Sequence, residues 1–165
     1  MRTAVAGFSL FLLAPVHIAA ASGGVMLTGH VGAVERKAPM RQYTSLDKPL
    51  VFGAEVTTPL TNGVGVGLDI TFGTSKGIRD RRSLTVVSGT AVFQSPHDSR
   101  VSGFGGMGLV VRVDGSPFPA LMARGRFGAA IGMSRHMFVR PEILIDVGSS
   151  LDVMATARIG VGYRF

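Results

Sequence analysis

Cysteine and tryptophan are absent from this sequence, tyrosine occurs only at Tyr43 and Tyr163, and charged residues make up just 16% of the chain. The lack of cysteine excludes disulfides, thiolate metal sites and a lipidated N-terminal cysteine anchor. Beyond the N-terminus there is no apolar run approaching the ~20 residues that a spanning helix requires, and little helical periodicity. What the chain has instead is glycine, 23 residues of it, with apolar residues spread thinly at alternate positions. A net charge of +7 is compatible with nucleic acid, anionic lipid or acidic glycan as a partner, and does not choose among them.

Residues 1–21 read as a secretory signal peptide. Arg2 supplies the charged start, Ala4 to Val16 the apolar stretch, and Ala19-Ala20-Ala21 a small-residue cleavage site before Ser22. Ser9, Pro15 and His17 interrupt a stretch already short for a membrane anchor, so cleavage is expected and residues 22–165 form one domain.

Eight segments of strand character follow: 25–35, 50–59, 63–72, 83–94, 100–113, 121–133, 137–147 and 154–165. Most are about the 9 to 11 residues that a tilted strand needs to cross a bilayer. Their connections alternate between tight turns (60–62, 95–99, 134–136) and longer, more polar loops (36–49, 73–82, 114–120, 148–153). An even number of strands, short turns at one end and longer loops at the other predict an eight-stranded antiparallel up-and-down transmembrane β-barrel, with turns and termini periplasmic and loops extracellular.

Alternation also sorts the charges. In 63–72, Val64, Val66, Leu68, Ile70 and Phe72 share one face, opposite Gly65, Gly67, Asp69 and Thr71. In 138–147 the outward set is Val139, Pro141, Ile143, Ile145 and Val147, leaving Arg140, Glu142, Leu144 and Asp146 inward. The same count turns His30, Glu55, Arg124, Arg126, Arg158 and Arg164 inward, as a lipid-bound barrel requires, since Lys or Arg on the lipid face at mid-depth costs roughly 2–4 kcal/mol. Inward glycines, among them Gly67, Gly106, Gly128, Gly160 and Gly162, leave space for arginine in a lumen only just wide enough for side chains. In 83–94 both faces are mixed, and in 100–113 the inward set contains Phe104 and Val110, so alternation leaves the register of these two strands open.

The final segment, with Phe165, Tyr163, Val161 and Ile159 on one face, and the stretch F-V-R-P-E-I at 138–143 carry a resemblance. The chain resembles the small eight-stranded outer-membrane barrel proteins, the broad class of OmpA-like transmembrane domains and OmpX-like or opacity-type surface barrels. The resemblance implies that Ile159, Val161, Tyr163 and Phe165 are a C-terminal signal read by the barrel assembly machinery of a Gram-negative-type envelope. It places the protein in the bacterial outer membrane, as a monomer in contact with lipid and lipopolysaccharide. Without tryptophan, the aromatic girdle of such barrels must rest on phenylalanine. The structural alternative is a periplasmic lipocalin-like barrel with its apolar face turned inward.

Motifs for chemistry are sparse. Gly103 to Gly108 match G-x-G-x-x-G, but Leu109 to Val113 continue as strand where a phosphate-binding loop would begin a helix. Some outer-membrane barrels are lipid A deacylases with a His-x-Ser pair. The only such pair, His97-Asp98-Ser99, falls in an expected periplasmic turn, away from acyl chains of the outer leaflet. His136 and Glu142 lack an adjacent serine. No histidine cluster has metal-ligand spacing, and neither a cofactor nor a nucleic-acid partner is expected. Glu55, Asp69, Glu142 and Asp146 with Arg124, Arg126, Arg140, Arg158 and Arg164 read as a charge network that fills and rigidifies the lumen, the alternative being a narrow ion path. Two loops are basic, one with Arg36, Lys37, Arg41 and Lys48, the other with Lys76, Arg79, Arg81 and Arg82. Contact with lipopolysaccharide phosphates or adhesion to an acidic surface polymer would suit them. The expected function is therefore non-enzymatic, structural or surface-interacting. A small channel comes second and a lipid A acyl-chain hydrolase third.

Overall fold

The computed structural model describes residues 24–37, 50–61, 63–76, 81–95, 100–113, 119–149 and 152–165. The signal-peptide segment, Arg79 and the triplet at 97–99 lie outside them. Eight strands run in chain order: β1 (Met26–Lys37), β2 (Leu50–Thr61), β3 (Val64–Lys76), β4 (Arg81–Gln94), β5 (Val101–Val113), β6 (Ala120–Gly132), β7 (Met137–Gly148) and β8 (Val153–Arg164). Each pairs antiparallel with its neighbour, and β1 pairs with β8 from Met26↔Arg164 to Lys37↔Val153, closing the barrel. Closure leaves no strand edge, the condition for placing a sheet in lipid.

Period-two patterning drives the arrangement. β8 alternates without a break from Met154 to Gly162, even-numbered residues buried and odd-numbered exposed, and β7 does so from Arg140 to Val147. The outward residues are large and apolar: Phe52, Leu68, Leu121, Met107, Ile159 and Val161 are all more than half exposed. The buried set is rich in Arg, Glu, Asp, Thr and Ser. This inside-out distribution is that of a protein whose outer solvent is hydrocarbon. It overturns the lipocalin-like alternative, which requires the apolar face inside.

The turn end of the barrel is tightly made. Gly63 sits at φ +81°, a left-handed conformation that costs glycine nothing, and its carbonyl accepts from Gln94 N–H. In the β6–β7 turn Ser134 Oγ accepts from the His136 and Met137 amides at 3.3 and 3.1 Å. Pro141 faces outward in β7, and the β6–β7 ladder has no pairing between Gly128↔Glu142 and Ile131↔Val139, the interval that contains this proline, which has no N–H to give.

One expectation is corrected and one open point is resolved. The loop expected at 73–82 is mostly strand: Gly73 to Lys76 pair with Leu84 to Arg81, so this polar hairpin continues the ladder beyond the apolar band. The registers of β4 and β5 are now fixed. Leu84, Val86, Ser88, Thr90 and Val92 face inward from β4, with Ser102, Phe104, Val110 and Arg112 from β5.

Candidate functional site: a layered lumen

Three layers fill the lumen. Toward the loop end, Val34, Val51, Leu84, Val86, Val110, Met122 and Met154 meet in one buried apolar cluster. Toward the turn end Met26, Ala130 and Phe138 form a second, smaller one. The charged residues lie between them.

Glu55, fully buried on β2, is the hub of the charged layer. Arg126 donates to both of its oxygens at 2.9 Å, Arg158 adds a bond at 2.9 Å, Arg140 bonds the same oxygen as Arg158, and Thr57 Oγ1 donates at 2.8 Å. Glu142 on β7 accepts from Arg126, Arg140 and Arg158. Asp146 takes a bidentate pair from Arg124 at 2.6 and 2.8 Å. Asp69 on β3 accepts from Arg158 at 2.9 Å, Arg124 and Thr71 at 3.2 Å, and His30 Nε2 at 2.7 Å. Nε2 of His30 also lies 2.8 Å from Nη1 of Arg158, so the imidazole sits between a carboxylate and a guanidinium. From β4, Ser88 and Thr90 accept from Arg124 and Arg126. β5 contributes Phe104, whose ring centroid lies 5.4 Å from the Arg126 guanidinium carbon and 5.2 Å from that of Arg140, in cation–π contact with both. Every strand thus has a side chain in one connected structure.

Four carboxylates and four guanidiniums balance one another in this layer. Charges removed from water to this degree require such compensation, and fork geometry on both sides provides it. Glycine makes the space: a Cβ on Gly67 would sit 3.0 Å from Glu55 Oε1 and 3.1 Å from Thr90 Oγ1, and one on Gly162 would fall 2.2 Å from the Phe138 ring.

Of the nine charged residues assigned to the lumen from sequence, eight meet in this layer. Arg164 departs from the expectation. It is the last residue of β8, beyond the Phe138 cap, and its side chain lines a cavity at the turn end. The sequence reading missed the contributions of Thr57, Thr71, Ser88, Thr90 and Phe104, and a separate ion pair at the loop end, Arg112 to Asp152 at 2.8 Å. The residues read as an assembly signal, Ile159, Val161, Tyr163 and Phe165, all lie exposed on the outer face. Tyr163 stacks on His136 with centroids 5.6 Å apart and meets Phe165 edge-on at 5.0 Å. Near the loop end the outward Phe52 and Phe72 pair across strands at 6.1 Å. Among the basic-loop residues, Lys76 ends β3 while Arg81 and Arg82 open β4. No group of His, Asp or Glu among the described residues could hold a metal ion.

No protein-family model matches the chain, and no curated protein matches it by sequence. Solved structures do match. Neisserial surface protein A superposes with a TM-score of 0.72 at 12% identity, over 86% of this chain and 97% of that one. Ail, the attachment invasion locus protein of Yersinia pestis, gives 0.61 at 16% identity over 87% and 99%, and has also been solved with the heparin analogue sucrose octasulfate. The outer membrane protein OprG of Pseudomonas aeruginosa gives 0.62 at 14% identity over 87% and 96%. At such identities the shared property is architecture, and by that architecture the chain is an eight-stranded β-barrel of the outer-membrane type.

Proposed function

We propose that the protein resides in the bacterial outer membrane as a non-enzymatic surface-interaction barrel, with a structural lumen and its working surface on the extracellular loops. The observation that carries this reading is the filled interior. A neutral charged layer between two apolar clusters holds no free cation or carboxylate to conduct ions or perform chemistry. Glu142, the acid closest in sequence to His136, has both oxygens committed to arginines. What remains available is the loop end, where Lys76, Arg79, Arg81 and Arg82 concentrate positive charge over seven residues. Guanidinium and ammonium groups so placed suit phosphate or sulfate on an acidic polymer, whether lipopolysaccharide or a host glycan. The heparin analogue held by Ail is of this chemical class. Passage through the barrel assembly machinery, guided by the segment ending at Phe165, completes the proposal.

The test is adhesion of cells displaying the barrel to immobilised heparin. Changing Arg79, Arg81 and Arg82 to Ala should lower adhesion severalfold and flatten its dependence on salt, because salt screens the attraction between the arginines and an anionic polymer. Adhesion equal to that of the parent, at equal surface expression, would remove the basis for the glycan reading.

A further inference from the structure

The described side chains include eight arginines. Five of them, Arg112, Arg124, Arg126, Arg140 and Arg158, pair with carboxylates. The other three are Arg100, Arg135 and Arg164, and all three line one cavity of about 490 Å³ at the turn end of the barrel. They arrive from separate elements: Arg100 immediately before β5, Arg135 in the β6–β7 turn, and Arg164 at the end of β8. His136 and Ser102 complete the polar lining, and Phe138 and Ala130 belong to the apolar cluster that separates the cavity from the lumen carboxylates. No described acidic side chain lines it.

We infer that this basin is an anion site for a ligand carrying a phosphate group. The inference is independent of the loop reading and rests only on the barrel fold. Guanidinium forks recognise phosphate and carboxylate oxygens through paired N–H donors. Three guanidiniums in the lining of one cavity offer more N–H donors than the two oxygens of a carboxylate can take, and suit the larger oxygen set of a phosphate. The turn itself is built to hold this arrangement. His136 Nδ1 lies 3.1 Å from the Arg164 carbonyl, which can only accept, so Nδ1 donates and ties the imidazole to the end of β8. The Arg164 amide in turn donates to the His136 carbonyl at 2.7 Å. β8 and the β6–β7 turn are therefore locked together at the rim, with Arg135 and Arg164 on either side. At this end of a membrane barrel the phosphate has two sources, the headgroup of an anionic phospholipid in the adjoining leaflet or a soluble phosphate in the aqueous compartment.

The experiment uses the full mature barrel in phosphatidylcholine nanodiscs, followed by amide chemical shifts of Gly132, Ser134, His136 and Arg164. One arm titrates inorganic phosphate, and the other exchanges part of the lipid for phosphatidylglycerol. Saturable shifts confined to these amides are expected. A response in the phosphate arm assigns a soluble ligand, and a response in the lipid arm alone assigns a headgroup. The double variant Arg100→Gln/Arg135→Gln leaves the C-terminal strand intact and should weaken the response at least about tenfold, since charge-assisted contacts are lost. Its folding is verified independently by its gel mobility before and after heating. The inference is overturned if neither arm shifts these amides, or if the correctly folded double variant responds like the parent.

Discussion

Removing the charge of Glu55 would leave Arg126, Arg140 and Arg158 to share Glu142 and Asp69, and the layer would carry a net positive charge away from water. Breaking one partner of a buried ion pair costs on the order of 3–5 kcal/mol, chiefly through the charge left behind. Glu55→Gln should therefore lower the urea midpoint of the barrel in lipid vesicles by that order. The double variant Glu55→Gln/Arg140→Met restores neutrality and should recover roughly half of the loss. Additive losses in the two single variants and the double would show that the residues do not act as one network. At this scale the sequence was informative about direction and silent about partners. Alternation turns Glu55, Arg126 and Arg158 inward, but which guanidinium meets which carboxylate depends on strand tilt around the ring, which no local pattern encodes.

The elements differ in how much of them could be read. β7 and β8 carry apolar residues outside and polar ones inside almost throughout, so their register follows from counting. β4 and β5 obscure that rule because Leu84, Val86 and Val110 are apolar and face inward, where they build the cluster near the loop end. With apolar side chains on both faces, counting has no contrast to work on. The β3–β4 hairpin extends further than its sequence suggests for the opposite reason. Thr74 to Lys76 are polar, so they look like loop, yet a ladder that has left the hydrocarbon needs no apolar face. At β8 the packing is close enough to test directly. Gly162→Ala places a methyl group against the Phe138 ring and should cost about 1–3 kcal/mol by overpacking. Phe138→Leu in the same chain should relieve most of that cost. If Gly162→Ala unfolds at the parental urea concentration, the close approach of β8 to Phe138 does not constrain the barrel.

For the molecule as a whole, the decisive property is that the charged layer lies between two buried apolar clusters. Ions crossing the lumen would have to enter an apolar cluster of seven side chains, displace compensated guanidiniums, and leave past Phe138. Apolar constrictions of this kind exclude water and with it the ion. Purified barrel reconstituted in planar bilayers should accordingly show no stable, discrete conductance steps. Reproducible unitary steps, abolished by heating the protein to unfold it first, would establish the channel reading in place of the structural one.

The order of charges along the chain adds a consequence for closure. Counting carboxylates and guanidiniums alone, β1 to β4 supply only Glu55 and Asp69 to the charged layer, a charge of −2; β5 to β8 supply Arg124, Arg126, Arg140 and Arg158 against Glu142 and Asp146, a charge of +2. Each half of the chain is thus the counterion of the other. In an open sheet these opposite charges would lie on separate parts of the concave face, and they meet as ion pairs across the lumen in the closed ring. The same charges that would be intolerable in hydrocarbon pull the curving sheet toward a ring and oppose its remaining flat.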